Sequence, residues 1–227
     1  VAAKQLVRIP DGITDEQAAA VMLKGCTVQY LIRRTYPVKE GETVLFHAAA
    51  GGCGLIACQW LKHLGVTVIG TVGSSEKAEL AKAHGCDYPI VYTDEDVVGR
   101  VKEITGGAGV PVVYDSVGKD TFDASLACLQ PRGLMVSFGN ASGAIEPFSP
   151  ALLAAKGSLF LTRPTLATYT ATREELESTS GEVFDVVGSG AVKIEVNQTY
   201  ALSDAANAHR DLEARKTTGS TVLLTDA

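Results

Sequence analysis

From Thr43 onward, short apolar runs alternate with segments of helical length, and this constrains the fold more than any other feature of the chain. The runs are Thr43–His47, Thr67–Val72, Tyr88–Val91, Val110–Asp115, Leu134–Phe138 and Ser158–Thr162. Between them lie Gly52–Leu64, closed by Gly65, Ser75–His84, closed by Gly85, Asp94–Thr105, stopped by Gly106-Gly107, and Thr121–Leu129. Glycine just past the last periodic residue is a helix-ending signal. The apolar runs are continuous rather than alternating, as in parallel strands buried on both faces. The pattern predicts an α/β fold with a doubly wound parallel sheet of the Rossmann kind. Gln130-Pro131-Arg132-Gly133 is expected to turn the chain into the fifth strand.

The flanks follow a different pattern. Thr14-Asp15-Glu16-Gln17 is a capping box opening a short helix from Ala18 to Leu23. Lys24-Gly25 is expected to interrupt it before a second helix, Thr27 to Arg34. Beyond Arg163-Pro164 a second capping box, Thr172-Arg173-Glu174-Glu175, starts a helix to about Val187. Val192, Ile194 and Val196 alternate like a half-exposed strand, Ser203 is placed to cap a helix to Arg215, and Ser220–Leu224 reads as a last strand. The division expected is 1–25 as the end of another domain with its linker, 26–164 as a dinucleotide-binding domain, and 165–227 as a return to the other domain.

The first strand leads into Ala48-Ala49-Ala50-Gly51-Gly52-Cys53-Gly54 and then a helix. A glycine-rich turn between strand and helix presents backbone N–H groups and the positive end of the helix dipole to a pyrophosphate, with no side chain in the way. Ala49, Gly51 and Gly54 match the spacing G-x-G-x-x-G with alanine first. An acid at the end of the second strand would hold the ribose 2′-OH of NAD. Thr71-Val72-Gly73-Ser74-Ser75 has none there, and Ser74 and Lys77 suit the 2′-phosphate of NADPH. Ser74 also reads as a plain N-cap and Lys77 as a surface lysine, while Glu76 argues the other way. Tyr92 is placed either to cover an adenine or simply to pack. Asp115-Ser116-Val117-Gly118 and Phe138-Gly139-Asn140-Ala141-Ser142 follow strands at the sheet edge where ligands bind in such folds.

Composition excludes several classes. The net charge of −6 gives no general attraction to nucleic acid or anionic lipid. No apolar stretch reaches membrane-spanning length. Cys26, Cys53, Cys58, Cys86 and Cys128 are scattered, without a C-x-x-C pair, and read as buried thiols of a cytoplasmic protein. His47, His63, His84 and His209 have no metal-ligand spacing and read as helix or strand-end residues.

The segments Leu23-Lys24-Gly25-Cys26-Thr27-Val28, Leu45-Phe46-His47-Ala48-Ala49-Ala50-Gly51-Gly52, Gly70-Thr71-Val72-Gly73, Val113-Tyr114-Asp115-Ser116-Val117-Gly118 and Gly133-Leu134-Met135-Val136-Ser137-Phe138-Gly139-Asn140 carry a family resemblance. Across nearly the whole chain it resembles the zinc-free, zeta-crystallin-like NADPH:quinone oxidoreductases of the medium-chain dehydrogenase/reductase superfamily. The resemblance implies that Thr27 approaches the nicotinamide side, that Ala50, Gly51, Gly52, Cys53 and Gly54 line the pyrophosphate, and that Ser74 and Lys77 meet the 2′-phosphate. It sets Tyr92 at the adenosine, Phe138, Gly139, Asn140, Ala141, Pro164, Thr165 and Leu166 along the nicotinamide, and Arg215 near the cofactor from the tail, with Gly73, Ser116 and Val117 also counted as cofactor-binding.

Family turns usually carry an aliphatic residue where this chain has Cys53. Zinc-dependent relatives carry a ligand near Leu23, so no metal is expected. The resemblance further implies reducing equivalents passing from NADPH to a small quinone and a homodimer joined through the edge strand Ser158–Thr162. No residue of this chain stands out as general acid or base. The chain starts with Val near the end of the family's GroES-like catalytic domain, so most of that domain is expected to be missing. A cofactor-binding module without useful turnover and a zinc-free enone or alkenal reductase are the alternatives.

Overall fold

The computed structural model describes residues 2–214 and 216–225. Six parallel strands form one sheet: β1 (Thr43–Phe46), β2 (Thr67–Val72), β3 (Tyr88–Val91), β4 (Val110–Asp115), β5 (Leu129–Ser137) and β6 (Phe160–Thr162), in the order β3-β2-β1-β4-β5-β6. This is the order of a dinucleotide-binding sheet, with its switch point between β1 and β4. Consecutive strand residues serve opposite faces. Val44, Phe46, Val68, Val112, Tyr114 and Val136 belong to one buried cluster, and Leu45, Ile69, Val113 and Met135 to the other. That two-sided burial is why the strands are continuously apolar.

The first cluster is covered by α1 (Asp15–Tyr30), α2 (Gly52–His63), α3 (Ser75–Ala83) and one later helix. On the second face lie α4 (Val97–Ile104) and α5 (Phe122–Cys128). Short helices α6 (Ala151–Ala155) and α7 (Leu166–Tyr169) flank β6. The later helix is α8 (Arg173–Gly188), whose Val183 and Phe184 are buried. The chain finishes with β7 (Val196–Ala201), α9 (Ala205–Glu213) and β8 (Ser220–Leu224), β7 and β8 pairing as a separate two-stranded sheet.

Several sequence expectations are corrected. No break occurs at Lys24-Gly25: α1 runs unbroken to Tyr30 and continues as a wider turn over Leu31–Thr35. The fourth helix begins at Val97 because Asp96 caps it, its side chain accepting from the Val98 amide at 3.1 Å. Gln130–Gly133 does not precede the fifth strand but forms a bulge inside it, with Arg132 at φ +63°. Ser158 has φ +57°, which excludes it from β6. The alternating segment from Val192 precedes the strand, which starts at Val196. The last helix starts after Asp204 rather than Ser203, and its expected end at Arg215 lies outside the described residues.

Candidate cofactor site

After β1, the His47 amide still donates to the Tyr114 carbonyl at 3.0 Å, and Ala48 then takes φ +56° to leave the sheet. Gly51 N–H closes the turn on Ala48 O at 2.9 Å, and α2 starts at the next residue. Gly51 as N-cap offers no side chain, so the first amides of α2, at Gly52, Cys53 and Gly54, lack both a helical acceptor and a cap. They form a concentrated positive pole. Glycine at 54 is obligatory, since a Cβ there would lie 2.3 Å from Ala48 O and 2.5 Å from Ala49 C. Gly52 has a different reason: its Cβ would meet Cδ and Cε of Lys24 at 2.6 Å and the Gly219 carbonyl at 2.8 Å. The Cys53 thiol is pushed up to about 11 by burial, against the pull of the Lys24 ammonium, so it stays a neutral, compact lining group.

The residues expected at the site after β1 to β6 all follow the carboxyl ends of those strands, along one sheet edge. Past β2, a Cβ on Gly73 would lie 2.8 Å from the Tyr92 hydroxyl, so the exposed Tyr92 ring arches over Gly73. Ser74 caps α3, accepting from the Lys77 amide at 3.4 Å. Hydrogen bonds from backbone N–H and from the Ser74 hydroxyl hold the Glu76 carboxyl below its ordinary range. Ser74 and Lys77 thus sit at the start of α3 beside Tyr92, and Glu76 is engaged with Ser74.

Past β4, Asp115 is fully buried. One carboxylate oxygen accepts from the Val117 and Gly118 amides at 2.8 and 2.9 Å, the other from the hydroxyls of Thr121 and Ser125, each at 2.7 Å. This loop is fastened to the one after β5. Phe138 N–H donates to Asp115 O, Ala141 N–H to Ser116 O and Ser142 N–H to Val117 O, at 2.8, 3.1 and 2.8 Å. Gly139 permits the approach, its Cβ position being 2.5 Å from Ser116 O. Ser116, Val117 and Phe138 to Ala141 therefore form one connected rim.

Within that rim, Phe138 packs on Phe46, ring centroids 5.7 Å apart. On α1, Thr27 donates to the Leu23 carbonyl at 2.8 Å and lies one turn beyond Lys24. Pro164 is buried, and Thr165 and Leu166 start α7, whose Tyr169 stacks on Tyr30 at 4.6 Å. Burial, with the nearby Cys53 thiol, pushes the Tyr30 hydroxyl up to about 12 although the Arg163 guanidinium opposes it. Arg215 lies outside the described residues.

Sequence reasoning missed three contributors. Lys24, which in sequence reads as part of a helix break, reaches over Gly52. Gly219 forms a bridge with Gly51, bringing the start of β8 onto the glycine turn. His47, just past β1, joins β2 to α5 by bonds to Thr71 and Ser125 at 2.9 and 3.0 Å. Only His47 left a local signal, a histidine inside an otherwise apolar strand.

The zinc-binding dehydrogenase family matches residues 52–180. A quinone oxidoreductase of Pseudomonas aeruginosa is 58% identical over 224 residues, 99% of this chain and 69% of that protein. A 2-haloacrylate reductase of a Burkholderia species is 47% identical, over 99% of this chain and 68% of its own length. The crystal structure of an Escherichia coli quinone oxidoreductase complexed with NADPH superposes with a TM-score of 0.96 at 54% identity, covering 98% of this chain and 69% of that one. With the sheet order, the glycine turn and these similarities in agreement, the chain belongs to the quinone oxidoreductases of the medium-chain dehydrogenase/reductase superfamily.

Proposed function

We propose that this chain binds NADPH and serves the transfer of reducing equivalents to a small quinone. The carrying observation is the uncapped start of α2 at the sheet's switch point, where the amides of Gly52, Cys53 and Gly54 await an acceptor and a Cβ at 54 would fill the cradle. A pyrophosphate fits that donor set. Ser74 and Lys77 would meet the 2′-phosphate and Tyr92 the adenine. Thr27, Ala50, Gly73, Ser116, Val117, the loop Phe138–Ala141 and Pro164, Thr165 and Leu166 complete the lining, with Arg215 contributing from the tail. When bound, the nicotinamide supplies the reducing equivalents. The protein orients the ring: the fastened loops after β4 and β5 hold one wall, and Phe46 and Phe138 keep water from it.

The reaction is read as zinc-independent. Zinc-dependent relatives carry a ligand near Leu23, whose side chain cannot bind a metal. Residues 26–164 are read as the cofactor domain, with 1–25 and 165–227 outside it. A homodimer through β6 is supported by its edge position and by Phe160, 61% exposed. A cytoplasmic setting is supported by five unpaired cysteines. No helix among the described residues is long and apolar enough to cross a membrane.

The test is a fluorescence titration with NADPH and NADH, followed by NADPH oxidation with 1,4-benzoquinone before and after chelation. Tighter binding of NADPH and chelator-resistant turnover are expected. Turnover of an activated alkene but not of the quinone would place the chain with the enone reductases instead.

A further inference from the structure

Lys24 projects from α1 across the first residue of α2. Its Cδ and Cε occupy the space a Gly52 side chain would need, and its Nζ donates to the Ser220 hydroxyl at 3.0 Å. The Ser220 hydroxyl in turn donates to the Ala20 carbonyl at 3.1 Å, so the acceptor that holds the ammonium is neutral. Among the described residues, no carboxylate lies within ion-pair distance of Lys24. The cation is also partly withdrawn from water, and burial lowers its pKa below the ordinary lysine range. Its stem lies over Gly52, the first residue of α2, whose opening amides at Gly52, Cys53 and Gly54 have no side-chain cap and form a second positive source on the same side. A half-buried cation costs free energy unless an opposite charge meets it, and a second positive source beside it raises the cost. An anion bound between the two would relieve both.

We infer that Lys24 is a cofactor-binding residue, its ammonium acting with the Gly52–Gly54 amides as the counter-charge for the pyrophosphate. Ser220 holds the lysine over Gly52 and is a positioning residue. The inference rests on the dinucleotide reading above and adds a residue to it. It also separates two kinds of phosphate contact. The pyrophosphate is common to NADPH and NADH, whereas Ser74 and Lys77 are placed for the 2′-phosphate that only NADPH carries.

Equilibrium titration of both cofactors against Lys24→Met and Lys77→Met tests this. Methionine at 24 keeps an apolar stem on Gly52 and removes the charge. The dissociation constants for NADPH and NADH are each expected to rise about tenfold, with weaker salt dependence than wild type. Lys24→Arg is expected to restore most of the affinity. Lys77→Met is expected to weaken NADPH alone. Should Lys24→Met fail to fold by its thermal melt, Lys24→Gln, which keeps a donor for Ser220, replaces it with the same expectation. If Lys24 merely ties α1 to β8, the folded variants lose thermal stability but bind both cofactors like wild type, and the inference is overturned. A loss confined to NADPH overturns it too. A wild-type chain that binds neither cofactor would remove the dinucleotide reading itself.

Discussion

His47, the residue after β1, is buried with both ring nitrogens engaged, and its surroundings select one tautomer. Asp115 is an acceptor, so the Ser125 hydroxyl donates to it at 2.7 Å; the Ser125 oxygen then takes the proton of His47 Nε2. Nδ1 is left to accept from Thr71, whose oxygen faces the Ala48 amide at 3.4 Å. The neutral ring closes the chain of bonds with no orphan. Burial lowers the His47 pKa from 6.5, the Asp115 charge opposing it. In the unfolded chain the ring binds a proton at higher pH than in the folded one, so this stabilisation is complete above about pH 6.5 and is lost as the pH falls towards the folded value. Thermal melts from about pH 8 to about pH 5 should show wild type losing midpoint more steeply than His47→Gln. Equal slopes would refute the neutral assignment. Of this cluster, only the place of Asp115 after an apolar strand, at the ligand-binding edge of the sheet, was legible. The bonds of His47 were not, because Thr71 and Ser125 stand 24 and 78 residues away.

At the level of elements, α1 shows where local rules fail. Glycine in a helix interior costs roughly 1 kcal/mol relative to alanine, which is why Lys24-Gly25 reads as a break. Gly25 is instead where α1 meets α8: a Cβ there would lie 2.7 Å from Cγ1 of Val183 and 2.9 Å from Cγ2 of Val21. Gly25→Ala gains helix propensity but overpacks this crossing, at about 1–3 kcal/mol, and a net loss of stability in denaturant melts is expected. Val183→Ala in the same chain should recover part of it, a coupling that a double-mutant cycle measures. The β7 expectation erred similarly. Val192 and Ile194 pack on the main core, while the Lys193 backbone pairs with the Gln59 side chain, at 2.9 and 3.2 Å, instead of with a strand. The inner strands of the sheet were legible because burial on both faces writes itself into consecutive residues. A partner supplied by a distant side chain leaves no such trace.

For the whole molecule, β3 and β6 are the open edges of the sheet, and β6 carries Phe160 in solvent. An exposed apolar edge invites a second copy. Light scattering is expected to report a dimer for wild type and a monomer for Phe160→Lys, with cofactor affinity retained. A wild-type monomer would leave the edge without that role. The contacts around the glycine turn have a further consequence, for how the site comes into being. Gly51 is bridged to Gly219, and Lys24 is held by Ser220 across 196 residues of chain. The turn itself is local, but its surroundings close only when segments nearly the full chain apart have met, so the loop-closure entropy of that meeting falls on the cofactor site. During synthesis the sheet can order strand by strand, whereas the wall over the pyrophosphate waits for β8 to leave the ribosome.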